Sequence, residues 1–143
     1  MILIDTNILI AAWDADHQHH AQVRPWFTNL LDSGEAYVIP DIVWLGFFRT
    51  QSNPRSTRNP MPMADLLEFA RQVRAPWDYL PVSGSHDGWE SFERIVAESA
   101  IRGDLTTDAY LASLATQLKC PVATLDRDFR RFEGIRVVVP GTA

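Results

Sequence analysis

MILIDTNILI, residues 1–10, decides the fold. Met1 to Ile4 form a short apolar run, Asp5 stops it, and Thr6 and Asn7 lead into a second run, Ile8 to Ala12. An apolar run of this length closed by a turn signal predicts a strand buried on both faces. Thr6 and Asn7 are good helix-starting residues, so the second run predicts a helix. Asp5 then stands at the carboxyl end of a first, central strand. In open α/β sheets, ligands and metals bind at that edge.

The same alternation continues along the chain. Val23, Trp26, Phe27, Leu30 and Leu31 repeat at helical spacing, with Pro25 predicting a kink or a late start and Ser33-Gly34 predicting the end. His17, His19 and His20 lie just before this helix. They read as a polar helix entrance, because no Cys or carboxylate pair completes a metal-ligand spacing. Ala36 to Ile39 predicts a second strand, and Pro40-Asp41 a helix start. The segment Ile42 to Thr50 is mostly apolar and predicts a largely buried helix, in which Gly46 is unfavourable by about 1 kcal/mol relative to Ala. Gln51 to Pro62 is a proline-rich loop, followed by an amphipathic helix over Met63 to Arg74.

Trp77 to Val82 predicts a short third strand, interrupted by Asp78 and Pro81. Asp87 is the expected cap of a helix carrying Trp89, Phe92, Ile95, Val96 and Ala100, which Gly103 breaks. Asp104 starts a buried helix, LTTDAYLASLATQL. Cys120 to Leu125 predicts a fourth strand ending at Asp126, Arg127 to Phe132 a turn or short helix, and Ile135 to Val139 a last strand. Strands alternating with helices imply a mostly parallel sheet covered on both faces. At 143 residues, without repeats, linkers or low-complexity tracts, a single domain over residues 1–143 is expected.

No apolar run approaches the ~20 residues needed to span a bilayer, and no signal peptide is recognisable. The single Cys120 suits a reducing cytoplasm and reads as a small buried hydrophobe. A net charge of −5 argues against binding nucleic acid through bulk positive potential, but not against a nuclease. A cluster of metal-binding carboxylates is itself negative. Arg49, Arg55 and Arg58 form the one group of cations without interleaved acids, and guanidinium groups match phosphate oxygens.

Three acids occupy telling positions. Asp5 and Asp126 each close an apolar run, so parallel central strands would bring both carboxylates out at one sheet edge. Asp108 lies one turn inside an otherwise apolar helix, where a buried carboxylate is costly without a partner. Asp104 precedes it by one helical turn on the same face. Each has a plainer explanation: Asp5 and Asp104 as helix caps, Asp126 as a turn starter beside Asp128. Together they describe carboxylates converging where mutual repulsion calls for a cation. Oxygen-only ligands favour Mg²⁺ or Mn²⁺. Such a site suits phosphoryl chemistry.

The motifs DTNILI (5–10), TTDAYLASLA (106–115) and ATLDRDFRRF (123–132), with VWLGFFRTQSNPR (43–55), resemble the PIN-domain proteins, and among them the VapC-type toxin ribonucleases. The resemblance runs nearly end to end. It implies a three-layer α/β/α sandwich with a mostly parallel sheet and a Mg²⁺- or Mn²⁺-dependent site that cleaves RNA by metal-activated water. It also implies a homodimer and a cognate VapB-like antitoxin that lays a peptide into the groove. Trp13, Trp44 and Phe48 are candidates to line it. By position, Asp5, Asp108 and Asp126 match the family's metal-site carboxylates, Asn7 and Thr124 match nearby polar residues, and Asp128 matches a supporting acid. Arg49 and Arg55 are the candidate RNA contacts.

One position departs from the pattern. Many PIN domains carry a Glu in the third helix where this chain has Gly46. The site would then hold one metal firmly rather than two, with Asp104 as a candidate replacement. The departure keeps a rival open, a catalytically weak PIN-like module that binds RNA or a partner. A haloacid-dehalogenase-type phosphatase also places Asp after a first strand, but wants a second Asp where this chain has Asn7. A DNA-directed nuclease would be separated by comparing substrates.

Overall fold

The computed structural model describes residues 1–142. The opening run forms β1 (Ile2–Ile4), all three residues buried, and α1 (Thr6–Trp13) follows immediately. Next come α2 (His20–Asp32), β2 (Tyr37–Val38), α3 (Asp41–Gln51) and α4 (Met63–Arg74). The second half contributes α5 (His86–Glu98), α6 (Leu105–Leu118), β3 (Val122–Ala123), a 3-10 turn (Arg127–Arg131) and β4 (Val137–Val138). The strands form one parallel sheet in the order β2-β1-β3-β4, with Leu3 paired to Val38 on one side and Val122 on the other. This is an α/β fold: a four-stranded parallel sheet flanked by six helices.

The order matters for the site. β1 and β3 are adjacent central strands running the same way, so Asp5 and Asp126 both emerge at their carboxyl edge. Ile8 and Leu9 of α1, Phe27 of α2, Phe47 of α3 and Leu111 and Leu114 of α6 close over the sheet, each 2% exposed or less. Burying side chains of this size contributes about 1.5–3 kcal/mol each.

Several expectations need correction. Trp77 to Val82 is not a strand: it makes a single parallel bridge, Tyr37 to Tyr79. Tyr37 N donates to Asp78 O at 3.0 Å and Leu80 N to Tyr37 O at 2.9 Å, and there the ladder stops. Ser85, not Asp87, caps α5, its hydroxyl accepting from Gly88 N at 3.2 Å. That helix ends at Glu98, before Ala100, which adopts a left-handed φ of 49°. α2 begins at His20, ahead of Pro25, so the late start does not occur; it ends at Ser33 with Gly34 at φ 74°. Trp77 and Trp89 do not join the core and are 83% and 56% exposed. Nor is α3 buried all round. Val43, Trp44 and Phe47 face the core, whereas Ile42 and Leu45 are exposed.

Candidate active site

A cleft of about 550 Å³ opens at the carboxyl edge of β1 and β3. Asp5 from the end of β1, Asp126 from the end of β3, and Asp104 and Asp108 from the start of α6 all line it. α3 adds Gly46 and Arg49.

Asp5 is held from three directions. Its Oδ1 accepts from Thr6 N at 2.6 Å, so it does cap α1. Its Oδ2 accepts from Asn7 Nδ2 at 2.9 Å and from the Thr124 hydroxyl at 2.7 Å. Capping and lining the cleft are therefore not alternatives, since one carboxylate does both. Thr124 is fully buried and also accepts from Asn7 Nδ2 at 3.0 Å and from Asp126 N at 3.0 Å. Asn7 Oδ1 accepts from Leu125 N at 3.1 Å, closing a network that ties α1 to the end of β3. Charge-assisted bonds of this kind fix a side chain more firmly than neutral ones.

Asp126 is half-buried and starts the 3-10 turn, its Oδ1 accepting from Asp128 N at 2.8 Å. Asp128 is exposed, pairs with Arg131 at 3.6 Å and stands outside the cleft lining. Asp104 occupies the N-cap position of α6 without a capping bond from its side chain, and is exposed. Of the two candidate arginines only Arg49 lines the cleft; Arg55 lies on the exposed turn after α3. Residues that sequence reasoning passed over also face the cleft, among them Thr6, Ile10, Thr107, Ile42 and Leu45.

The electrostatics follow from this crowding. Burial pushes the Asp5 carboxyl above its ordinary range, and Asp126 adds to the rise, while the donors from Thr124, Thr6 and Asn7 oppose it. Asp108 is pushed up to about 7, first by burial and then by the charges of Asp5, Asp126 and Asp128, with Arg131 pulling the other way. An all-oxygen donor set under mutual repulsion fits a hard divalent cation. The three aspartates are not clenched on one point. Among the described residues, the only three potential ligands with atoms all within 4.8 Å of one another are His86, Asp87 and Glu90, exposed at the start of α5. The wider spacing in the cleft leaves room for water or phosphate oxygens, which Mg²⁺ ordinarily keeps in its shell.

Residues 2–135 match the family model of the PIN domain. The chain belongs to the PIN-domain family. Ribonuclease VapC25 of Mycobacterium tuberculosis is 39% identical over 140 residues, covering 98% of this chain and 99% of that protein. Ribonuclease VapC31 of the same species is 37% identical over the same coverage. Among solved structures, a toxin–antitoxin complex from Klebsiella pneumoniae contains a chain that superposes with a TM-score of 0.66 at 18% identity, covering 98% of both chains. Within the PIN family this chain is a VapC-type ribonuclease toxin. Gly46 stands on α3 in the cleft of this PIN domain, and a Cβ there would lie 3.2 Å from Thr6 Cγ2. α3 approaches α1 closely at that point, so a larger residue would have to push the Thr6 side chain aside by a few tenths of an ångström.

Proposed function

We propose that Asp5, Asp108 and Asp126 form the metal site of an endoribonuclease, with Mg²⁺ as the cofactor and Mn²⁺ as a substitute. The carrying observation is that carboxylates from three separate segments line one cleft at the carboxyl edge of adjacent parallel strands. A divalent cation held there would polarise a phosphoryl oxygen and acidify a water. The chain's own residues do the rest. Asp5, anchored by Thr6, Asn7 and Thr124, keeps its charge at a set position. Asp126 orients the attacking water, and Arg49 binds a phosphate of the RNA and holds the strand over the acids. Water adds at phosphorus, the bond to the 3′-oxygen breaks, and the proton passes to that oxygen, leaving a 5′-phosphate and a 3′-hydroxyl.

In the cell this activity is that of a toxin in a type II pair, working in the cytoplasm and restrained by a cognate VapB-like antitoxin. No helix among the described residues is long and apolar enough to cross a membrane. Trp44 and Phe48 line a second cleft of about 370 Å³ between α3 and α4, which offers the antitoxin an apolar seat, and the active form is a homodimer. Purified protein is tested with RNA and with DNA of the same sequence, in EDTA and in Mg²⁺. The expected result is Mg²⁺-dependent cleavage of RNA, abolished by Asp5→Asn and by Asp108→Asn. Full cleavage by both variants would remove the site assignment.

A further inference from the structure

α3 carries two apolar faces, and only one is used by the core. Val43, Trp44 and Phe47 are buried, with Phe47 against Trp13 of α1 and both Trp44 and Phe47 against Phe69 of α4. Ile42, Leu45, Gly46 and Arg49 recur at the i, i+3, i+4, i+7 spacing of a single helix face, and all four line the cleft that holds the carboxylates. Leu45 is 65% exposed and Ile42 is 37% exposed, which sets two neighbouring apolar side chains beside the acidic cleft. Gly46 lets Thr6 of α1 pack close beside them, and Ile10 of α1 also reaches the cleft. The result is a shelf with aliphatic walls, a low floor of Gly46 and Thr6, and a guanidinium at its far end.

We infer that this face of α3 is a nucleotide subsite: one unstacked base of the substrate lies on Ile42, Leu45 and Gly46, and Arg49 holds the adjoining phosphate. Proteins that read single-stranded RNA splay bases out and pack their faces against apolar or aromatic side chains. The shelf supplies such a surface next to the reacting phosphate, and Arg49 supplies charge of the complementary sign within two helical turns. The cleft volume lies in the range that encloses small organic ligands. The occupant is RNA rather than a protein helix because the shelf is continuous with the carboxylates, where the strand must lie to be cut. This inference rests on the ribonuclease reading and assigns the residues that set base preference.

The test uses the full chain and a pool of random-sequence RNA oligonucleotides, with sequencing of the product ends. Wild-type protein is expected to prefer particular bases at one nucleotide beside the cut. Leu45→Ala is expected to flatten that preference and raise KM roughly tenfold with little change in kcat. Ile42→Ala should act in the same direction. Leu45 is exposed, so its truncation leaves folding intact, and thermal denaturation of each variant checks this. Unchanged base preference and KM in both variants would overturn the subsite. So would a Leu45→Ala variant whose only change is a smaller mass in solution, which would assign the shelf to a second copy of the chain. Failure of the ribonuclease reading looks different: Asp108→Asn would then cleave as well as wild type, whatever Leu45 does.

Discussion

Replacing Asp108 by Asn removes a negative charge that burial and neighbouring carboxylates make costly to hold. The Asp108 carboxyl rises from 3.8 to about 7, through burial first and then through Asp5, Asp126 and Asp128. Between those two pH values the folded chain keeps a proton that the unfolded chain has released. Folding stability from this group is therefore full below about pH 3.8, declines as pH rises through the window, and reaches its lowest level above about pH 7. The undiscounted cost is about 4 kcal/mol at about 1.36 kcal/mol per pKa unit, and solvent screening of a half-exposed group brings it to about 2 kcal/mol. Asp108→Asn should accordingly raise the melting temperature of metal-free protein by roughly 6 °C at pH 8 and leave it nearly unchanged at pH 4. Mg²⁺ should stabilise the wild type at pH 8, by about 2.7 kcal/mol at a hundredfold excess over its Kd, and should stabilise the variant far less. Differential scanning calorimetry in EDTA and in Mg²⁺, at both pH values, measures all four quantities. A variant that melts below wild type at pH 8, or by the same margin at both pH values, would refute the crowding argument.

Asp5→Asn should abolish cleavage as Asp108→Asn does, yet destabilise metal-free protein by about 2 kcal/mol in urea denaturation. The reason is that an amide group presents a donor to Thr6 N, Asn7 Nδ2 or the Thr124 hydroxyl. Equal stability of the two variants would contradict the network drawn around Asp5. Thr124→Val deletes a buried hydroxyl with three partners and should cost about 2–3 kcal/mol, with weaker Mg²⁺ binding by calorimetric titration. Arg49→Ala should raise KM for RNA and lower the slope of log affinity against log salt by about 1, whereas Arg55→Ala, outside the cleft, should change both less. Identical salt slopes for wild type and Arg49→Ala would take Arg49 out of the phosphate contact.

What the sequence determined by itself is what neighbouring residues decide. The apolar run Ile2–Ile4 and its closure by Asp5, the helix of Leu105–Leu118 with Asp108 in its first turn, and the run ending at Asp126 are all set within a few positions. Burial periodicity and punctuation are local properties, and the motifs carry the family as well. Tertiary structure alone decided the rest. Trp77 to Val82 has the composition of a strand, but how far its backbone pairs depends on how it lies against β2, which it meets only at the Tyr37–Tyr79 bridge. Ile42 and Leu45 look like core until α1 and α4 take the other face of α3. Arg55 follows Arg49 closely in sequence, yet it lies past the end of α3 and does not line the cleft. The Thr124 hydroxyl reaches Asp5 across 119 residues of chain, and the rise at Asp108 sums burial with charges from other segments. Solvation and Coulomb interaction depend on distance in space, and only folding turns separation along the chain into distance.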